Sequence, residues 1–247
     1  MTNLQTSRAL PQAFPNTRWS VVLAARGDAA GESVAALETI CRAYWYPLYA
    51  YVRRCGQSPH DAQDLTQEFF RRLLEKHWLD SVDREKGRLR TFLITALRRF
   101  MASAWRHASS QRRGAGQVHV PMDTTFAESR YAADGNSELR PDEAFDQQWA
   151  IALHDLTVER LQGEFTAAGK PDDFEKLKDC LMAARGAIDY GAIAARMGIS
   201  EGAARVAVHR LRRRFREIYR QEISNTLSES EDIEAEVRHL AQALART

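Results

Sequence analysis

Cysteine is scarce. Cys41, Cys55 and Cys180 are the only three in 247 residues, far apart and with no C-x-x-C pair. That argues against a disulfide framework or a zinc knuckle and for reduced thiols. No apolar run approaches the roughly 20 residues of a membrane span. The opening stretch, MTNLQTSRALPQAFPN, lacks the apolar centre of a signal peptide. A protein made and kept in the cytoplasm is expected. No segment alternates apolar and polar residues over four or more positions, so strands are not expected. A P-loop, G-x-G-x-x-G, H-E-x-x-H and nucleophile elbow are all missing, and the seven histidines are scattered. Neither catalysis, a cofactor nor a bound metal is expected. Net charge is only +2. Any basic patch must therefore be balanced by acids elsewhere.

Helical spacing is what the chain does have. Thr17 to Arg26 reads as a short helix ending near Gly27. From about Ser33 to Arg54, Val34, Leu37, Cys41, Tyr44, Trp45, Leu48, Tyr49 and Val52 form one apolar stripe. Pro47 within it implies a kink or break. A second helix is expected from about Ser58 to Leu79. Ser58 suits the N-cap, Pro59 the first helical position, and Asp61 and Asp64 the positive end of the dipole. Ala62, Leu65, Phe69 and Leu73 are its apolar stripe. A third runs from about Leu89 to His107. Residues 114–146 then hold seven acids against two arginines. They read as a flexible acidic linker. Helical spacing returns over Asp146–Gly163 and Asp172–Arg185. A last amphipathic helix carries Ile233, Val237, Leu240 and Leu244 on one side. The fold class is thus all-α, with two small helical domains, 17–113 and 147–223. Linker 114–146 joins them, and an acidic, amphipathic extension, 224–247, follows.

MGISEGAARVAVHRLRRRFREIY (197–219) places six arginines between 205 and 216. A short helix, Tyr190–Met197, precedes it, with Ile193 and Met197 facing inward and Ala194 small enough for a close crossing. Gly198 supplies a left-handed turn and Ser200 caps the next helix, with Glu201 in its first turn. Val206, Val208, Leu211 and Phe215 give that helix apolar sides. This is a helix-turn-helix pattern. Glu201, Ala203, Ala204 and Arg205 would then lie at base edges in the major groove. Arg210, Arg212, Arg213 and Arg214 lie further on and suit phosphates. The alternative is a solvated helix whose arginines pair with neighbouring acids.

SPHDAQDLTQEFFRRLLEK (58–76) closely resembles region 2 of bacterial RNA polymerase sigma factors of the extracytoplasmic-function group in the sigma-70 family. Their pattern, D-A-E-D-L-x-Q-E-x-F, is met by Asp61, Ala62, Asp64, Leu65, Gln67, Glu68 and Phe70, with Gln63 in place of Glu. The resemblance implies core RNA polymerase and promoter DNA as partners. Asp61, Asp64, Gln67 and Glu68 would make the polar contacts to polymerase. The third helix would recognise and melt the −10 element, with Arg88, Arg90, Phe92, Arg98, Arg99 and Arg106 at the DNA. Residues 84–113 carry nine basic residues and one acid, with Phe92, Phe100 and Trp105 among them. Cations and ring faces suit a melted strand. Phe92 and Trp105 are, however, more often core residues than stacking platforms. Family members often have asparagine where Arg98 or Arg99 falls.

The helix-turn-helix resembles the family's −35-reading domain, whose pattern is G-I-S-x-G-T-V-K-S-R-L-x-R-A-R. Gly198, Ile199, Ser200, Gly202, Arg205 and Arg210 fit it, while Ala203, Ala207 and Leu211 depart. On that likeness Ser200, Glu201, Ala203, Ala204, Arg205, His209, Arg210, Arg212 and Arg213 would meet the −35 element. The resemblance admits an anti-sigma factor as a further partner without requiring one. A helix-turn-helix regulator that does not join polymerase is the alternative function. The acids of the extension either fold back on the arginine-rich helix or sit on a solvated one.

Overall fold

The computed structural model describes residues 30–75, 78, 88–108, 124–133, 138–184, 186–227 and 232–245. The helix expected over Thr17–Arg26 lies outside them. The described residues are helical, with no strand among them: α1 (Ala30–Arg54), α2 (Pro59–Glu75), α3 (Leu89–Ala108), α4 (Thr124–Ala133), α5 (Pro141–Ala167), α6 (Pro171–Leu177), α7 (Tyr190–Met197), α8 (Glu201–Ser224) and α9 (Ile233–Leu244). A 3-10 turn, Lys178–Cys180, follows α6. The chain divides into two compact units. One is Asp155–Tyr219. The other runs up to His154 and resumes at Arg220, so the division falls within α5 and within α8.

The larger unit is built on α1. Tyr44, Leu48 and Val52 are fully enclosed, and Trp45, Tyr46, Tyr49, Ala50 and Tyr51 are buried too. This exceeds the single stripe expected from sequence: apolar on all sides, the helix takes a central place. Pro47 lies inside α1 without ending it. Gly56, at φ 88°, ends the segment after α1. Its amide donates to the Arg53 carbonyl at 3.0 Å. Ser58 caps α2 as expected, its Oγ accepting from the Asp61 amide at 3.1 Å. Ala62, Phe69, Phe70 and Leu73 turn inward from α2, and Leu89, Leu93, Leu97 and Phe100 from α3.

The stretch expected to be a flexible linker is partly helical. Glu128 of α4 accepts from Arg53 at 2.8 and 3.1 Å and from the Tyr49 hydroxyl at 2.5 Å. Arg130 lies over the Tyr46 ring at 4.1 Å. Residues 141–146 are the first turns of α5, and Trp149 further along stacks on Tyr44 at 4.5 Å. Acid count suggested solvent, but several of these acids find arginines distant in sequence.

The smaller unit packs Leu161, Phe174, Leu177, Cys180, Ile193, Ala194, Ala204, Val208, Leu211 and Ile218 into one core. Its α7 has the bounds read from sequence. Asp189 caps it, accepting from the Ala192 amide at 2.9 Å. Gly198 ends it at φ 68°, with the Ile199 amide donating to the Ala194 carbonyl at 3.1 Å. Glycine is needed here because a side chain makes that backbone region costly. The Ser200 Oγ then accepts from the Ala203 amide at 3.3 Å and opens α8.

Candidate functional site

Three surfaces carry the residues singled out by sequence. The first is α2. Helical spacing sets Asp61, Asp64 and Glu68 along one side, opposite buried Ala62, Phe69 and Leu73. Asp61 and Asp64 are exposed, and Gln67 and Glu68 half-buried. Asp61 accepts from the Ser58 hydroxyl at 2.7 Å, and Asp64 lies 3.1 Å from His60 Nδ1. Glu68 is clasped by Arg71 at 2.6 Å and by Arg72 at 2.6 Å. The Arg71 hydrogen bond holds its carboxyl below the usual carboxylate range, against the opposing effect of burial. The result is a rim of carboxylates, two of them facing water, able to receive a basic partner.

The second surface is α3 with the residues around it. Arg98 and Arg99 are exposed and Phe92 is half-buried. Arg98 donates to the Tyr51 hydroxyl at 3.0 Å and pairs with Asp142. Phe100 is core. The side chains of Trp105 and Arg106 lie outside the described residues. Arg90 is a correction. Expected at DNA, it is only 8% exposed, and its guanidinium is held by Asp146 and by Glu236 at 2.9 Å. A guanidinium so enclosed has no face left for a phosphate. Arg88 is also engaged, 2.5 Å from the Glu236 carboxylate, but remains partly open to water. Glu236, on α9, is buried. Of the two alternatives for the extension, folding back on the arginine-rich helix is met at Glu234, which lies 2.9 Å from Arg220 of α8, whereas the buried Glu236 grips α3 instead. His239 of the same helix lies 3.0 Å from Asp146. Burial pushes the adjacent Tyr44 hydroxyl up from its ordinary pKa, with Arg90 pulling it down and Glu236 adding to the rise.

The third surface is α8. Ser200, Glu201, Ala203, Arg205, His209, Arg210 and Arg213 are exposed along its outer side. Arg205 is steadied by Glu201 at 2.5 Å and lies over the Tyr190 ring at 4.3 Å. Two expected contacts are corrected. Ala204 is fully buried, on the core side of the helix. Arg212 turns back to donate to the backbone carbonyls of Cys180, at 2.7 Å, and Ala183. Arg214 is likewise occupied, bonding Glu164 at 2.6 and 2.7 Å and Glu217 at 3.1 Å. Arginine count alone does not separate those that brace the fold from those that face outward. The burial of Ala204 was legible in principle, since it sits four residues before Val208. The sequence reading missed Val206 as a surface residue: it is exposed, not core.

The family model for sigma-70 region 2 matches residues 41–111. That span takes in α2, α3 and the second half of α1. Comparison with curated proteins and with solved structures gives no match. Region 2 binds core RNA polymerase and recognises the promoter −10 element. The match covers 71 of the 247 residues, and over that span the chain is similar to region 2 of sigma-70 factors. No helix among the described residues is long and apolar enough to cross a membrane.

Proposed function

We propose that this protein is a sigma factor of the extracytoplasmic-function group, which joins core RNA polymerase and directs it to specific promoters. The region 2 match over residues 41–111 carries the reading. The carboxylate rim of α2 gives it chemistry: Asp61, Asp64, Gln67 and Glu68 meet a basic surface on polymerase. Arg88, Phe92, Arg98, Arg99 and Arg106 serve the −10 element. Arg90 braces the fold instead. The −35 element is met by α8. Glu201, Ala203 and Arg205 sit at its N-terminal end, where a recognition helix approaches base edges, and Ser200 caps it. His209, Arg210 and Arg213 follow along the same side and suit phosphates. Arg212 and Ala204 support the helix from within.

The test is run-off transcription with core polymerase on a genomic library, beside pulldown of core polymerase by the full-length chain. Capture of polymerase with defined start sites is expected. Replacing both exposed acids, Asp61→Lys with Asp64→Lys, should abolish capture while leaving helicity unchanged. Sequence-selective DNA binding without polymerase capture would instead identify a helix-turn-helix regulator.

A further inference from the structure

Three large apolar side chains are conspicuously exposed among the described residues: Met182, Ile199 and Val206. All three lie in the smaller unit. Met182 follows the 3-10 turn and Ile199 sits in the turn before α8. Val206 is different, because it stands on the outer side of α8 itself, 49% exposed. Gly202, Val206, His209 and Arg213 are spaced i, i+4, i+7 and i+11 and form a single stripe. Each member of the stripe is exposed. The residues of the helix that enter the core of the smaller unit, Ala204, Val208, Leu211 and Ile218, face the other way. Val206 therefore stands at the middle of the outward face, with Arg205 and Arg210 to its sides. Gly202, with open space where a side chain would be, does nothing to shield it.

That arrangement suits one ligand chemistry. Arg210 beside the stripe and Arg213 further along it suit the phosphates that border a groove, while Arg205 lies toward the base edges. An isopropyl group at the centre offers no hydrogen bond to any base edge. The apolar feature of the major groove is the C5 methyl group of thymine. We propose that Val206 reads a thymine by contact with that methyl group, and so sets sequence preference at one position of the DNA bound by α8. This rests on the DNA-binding reading of α8 given above.

The experiment uses the full-length protein and duplexes selected by it from a randomised library. Each thymine of the selected site is replaced in turn by deoxyuracil, which removes the methyl group and keeps every hydrogen-bonding group. At one thymine, the wild type should lose about three- to tenfold in affinity, the scale of one or two buried methyl groups. Val206→Ala should bind thymine and uracil duplexes equally. Val206→Thr, which keeps one methyl group, should retain part of the discrimination. Because Val206 is exposed, neither change should alter the melting of the unit. If Val206→Ala still tells thymine from uracil as the wild type does, the proposal fails and DNA binding stands. If the wild type selects no sequence at all, the DNA-binding reading fails and this inference with it.

Discussion

Glu236→Ala is the perturbation that bears hardest on the larger unit. Its carboxylate is 2% exposed and accepts from Arg90 at 2.9 Å and Arg88 at 2.5 Å. Removing one partner of a buried ion pair costs roughly 3–5 kcal/mol, because the other charge stays behind in a poor medium. Two features reduce that here. Asp146 still holds Arg90, and Arg88 can swing its charge to water. A loss of about 2–4 kcal/mol is expected. With a urea slope of about 2 kcal/mol/M, the unfolding midpoint should fall by roughly 1–2 M. Tryptophan fluorescence suits the measurement, since none of the five tryptophans falls within Asp155–Tyr219, and Trp45, Trp78 and Trp149 lie in the unit that contains Arg90. Arg90→Met combined with Glu236→Leu should recover most of the loss, because the charges left, Asp146 beside His239 and Arg88, are partly open to water. A midpoint for Glu236→Ala indistinguishable from wild type would refute the account of the network.

Arg212 and Arg213 should separate cleanly. Arg212→Ala should destabilise the smaller unit by about 1–3 kcal/mol in thermal melts, having released two backbone carbonyls. Arg213→Ala should leave stability within about 0.5 kcal/mol, yet weaken binding to all duplexes alike and lower the salt slope by about one unit. Gly198→Ala should cost about 1–2 kcal/mol in the same melts. The φ of 68° is the cause, since nothing crowds the added carbon. Acid should weaken both units. Arg71 lowers the pKa of Glu68 and Arg214 that of Glu164, so each carboxylate is more acidic folded than unfolded. The stability they contribute is complete above their ordinary value of 4.5 and drains away as pH falls through the lower folded values. Urea titrations from pH 6 downward should show this, and Glu164→Gln should flatten the response of the smaller unit.

What the sequence disclosed was local. The bounds of α7, the Gly198 turn and the Ser200 cap each depend on neighbours within a few residues, and each could be read directly. On α2, Ala62, Phe69 and Leu73 turn inward as spacing implied, whereas Leu65 is only half-buried and Phe70 is buried outside the expected stripe. What escaped was non-local. Nothing near Arg90 says that Glu236 will meet it from 146 residues away. The composition of residues 114–146 suggested solvated charge, whereas Glu128, Asp142 and Asp146 each hold an arginine. Val206 failed differently. Apolar character implied core, yet its angular position on α8 puts it opposite the buried residues.

The larger unit is discontinuous: its last helix is translated after the whole of the other unit. At about 5–20 residues per second, a ribosome needs roughly 5–20 s to travel from His154 to Leu244. Until then Arg90 has Asp146 as a counter-ion but not Glu236. A messenger broken in that interval yields a polypeptide bearing the acid-rimmed helix on an unsecured scaffold. Such a fragment opens readily and is exposed to proteases. Completion of the chain thereby becomes a condition for persistence in the cell.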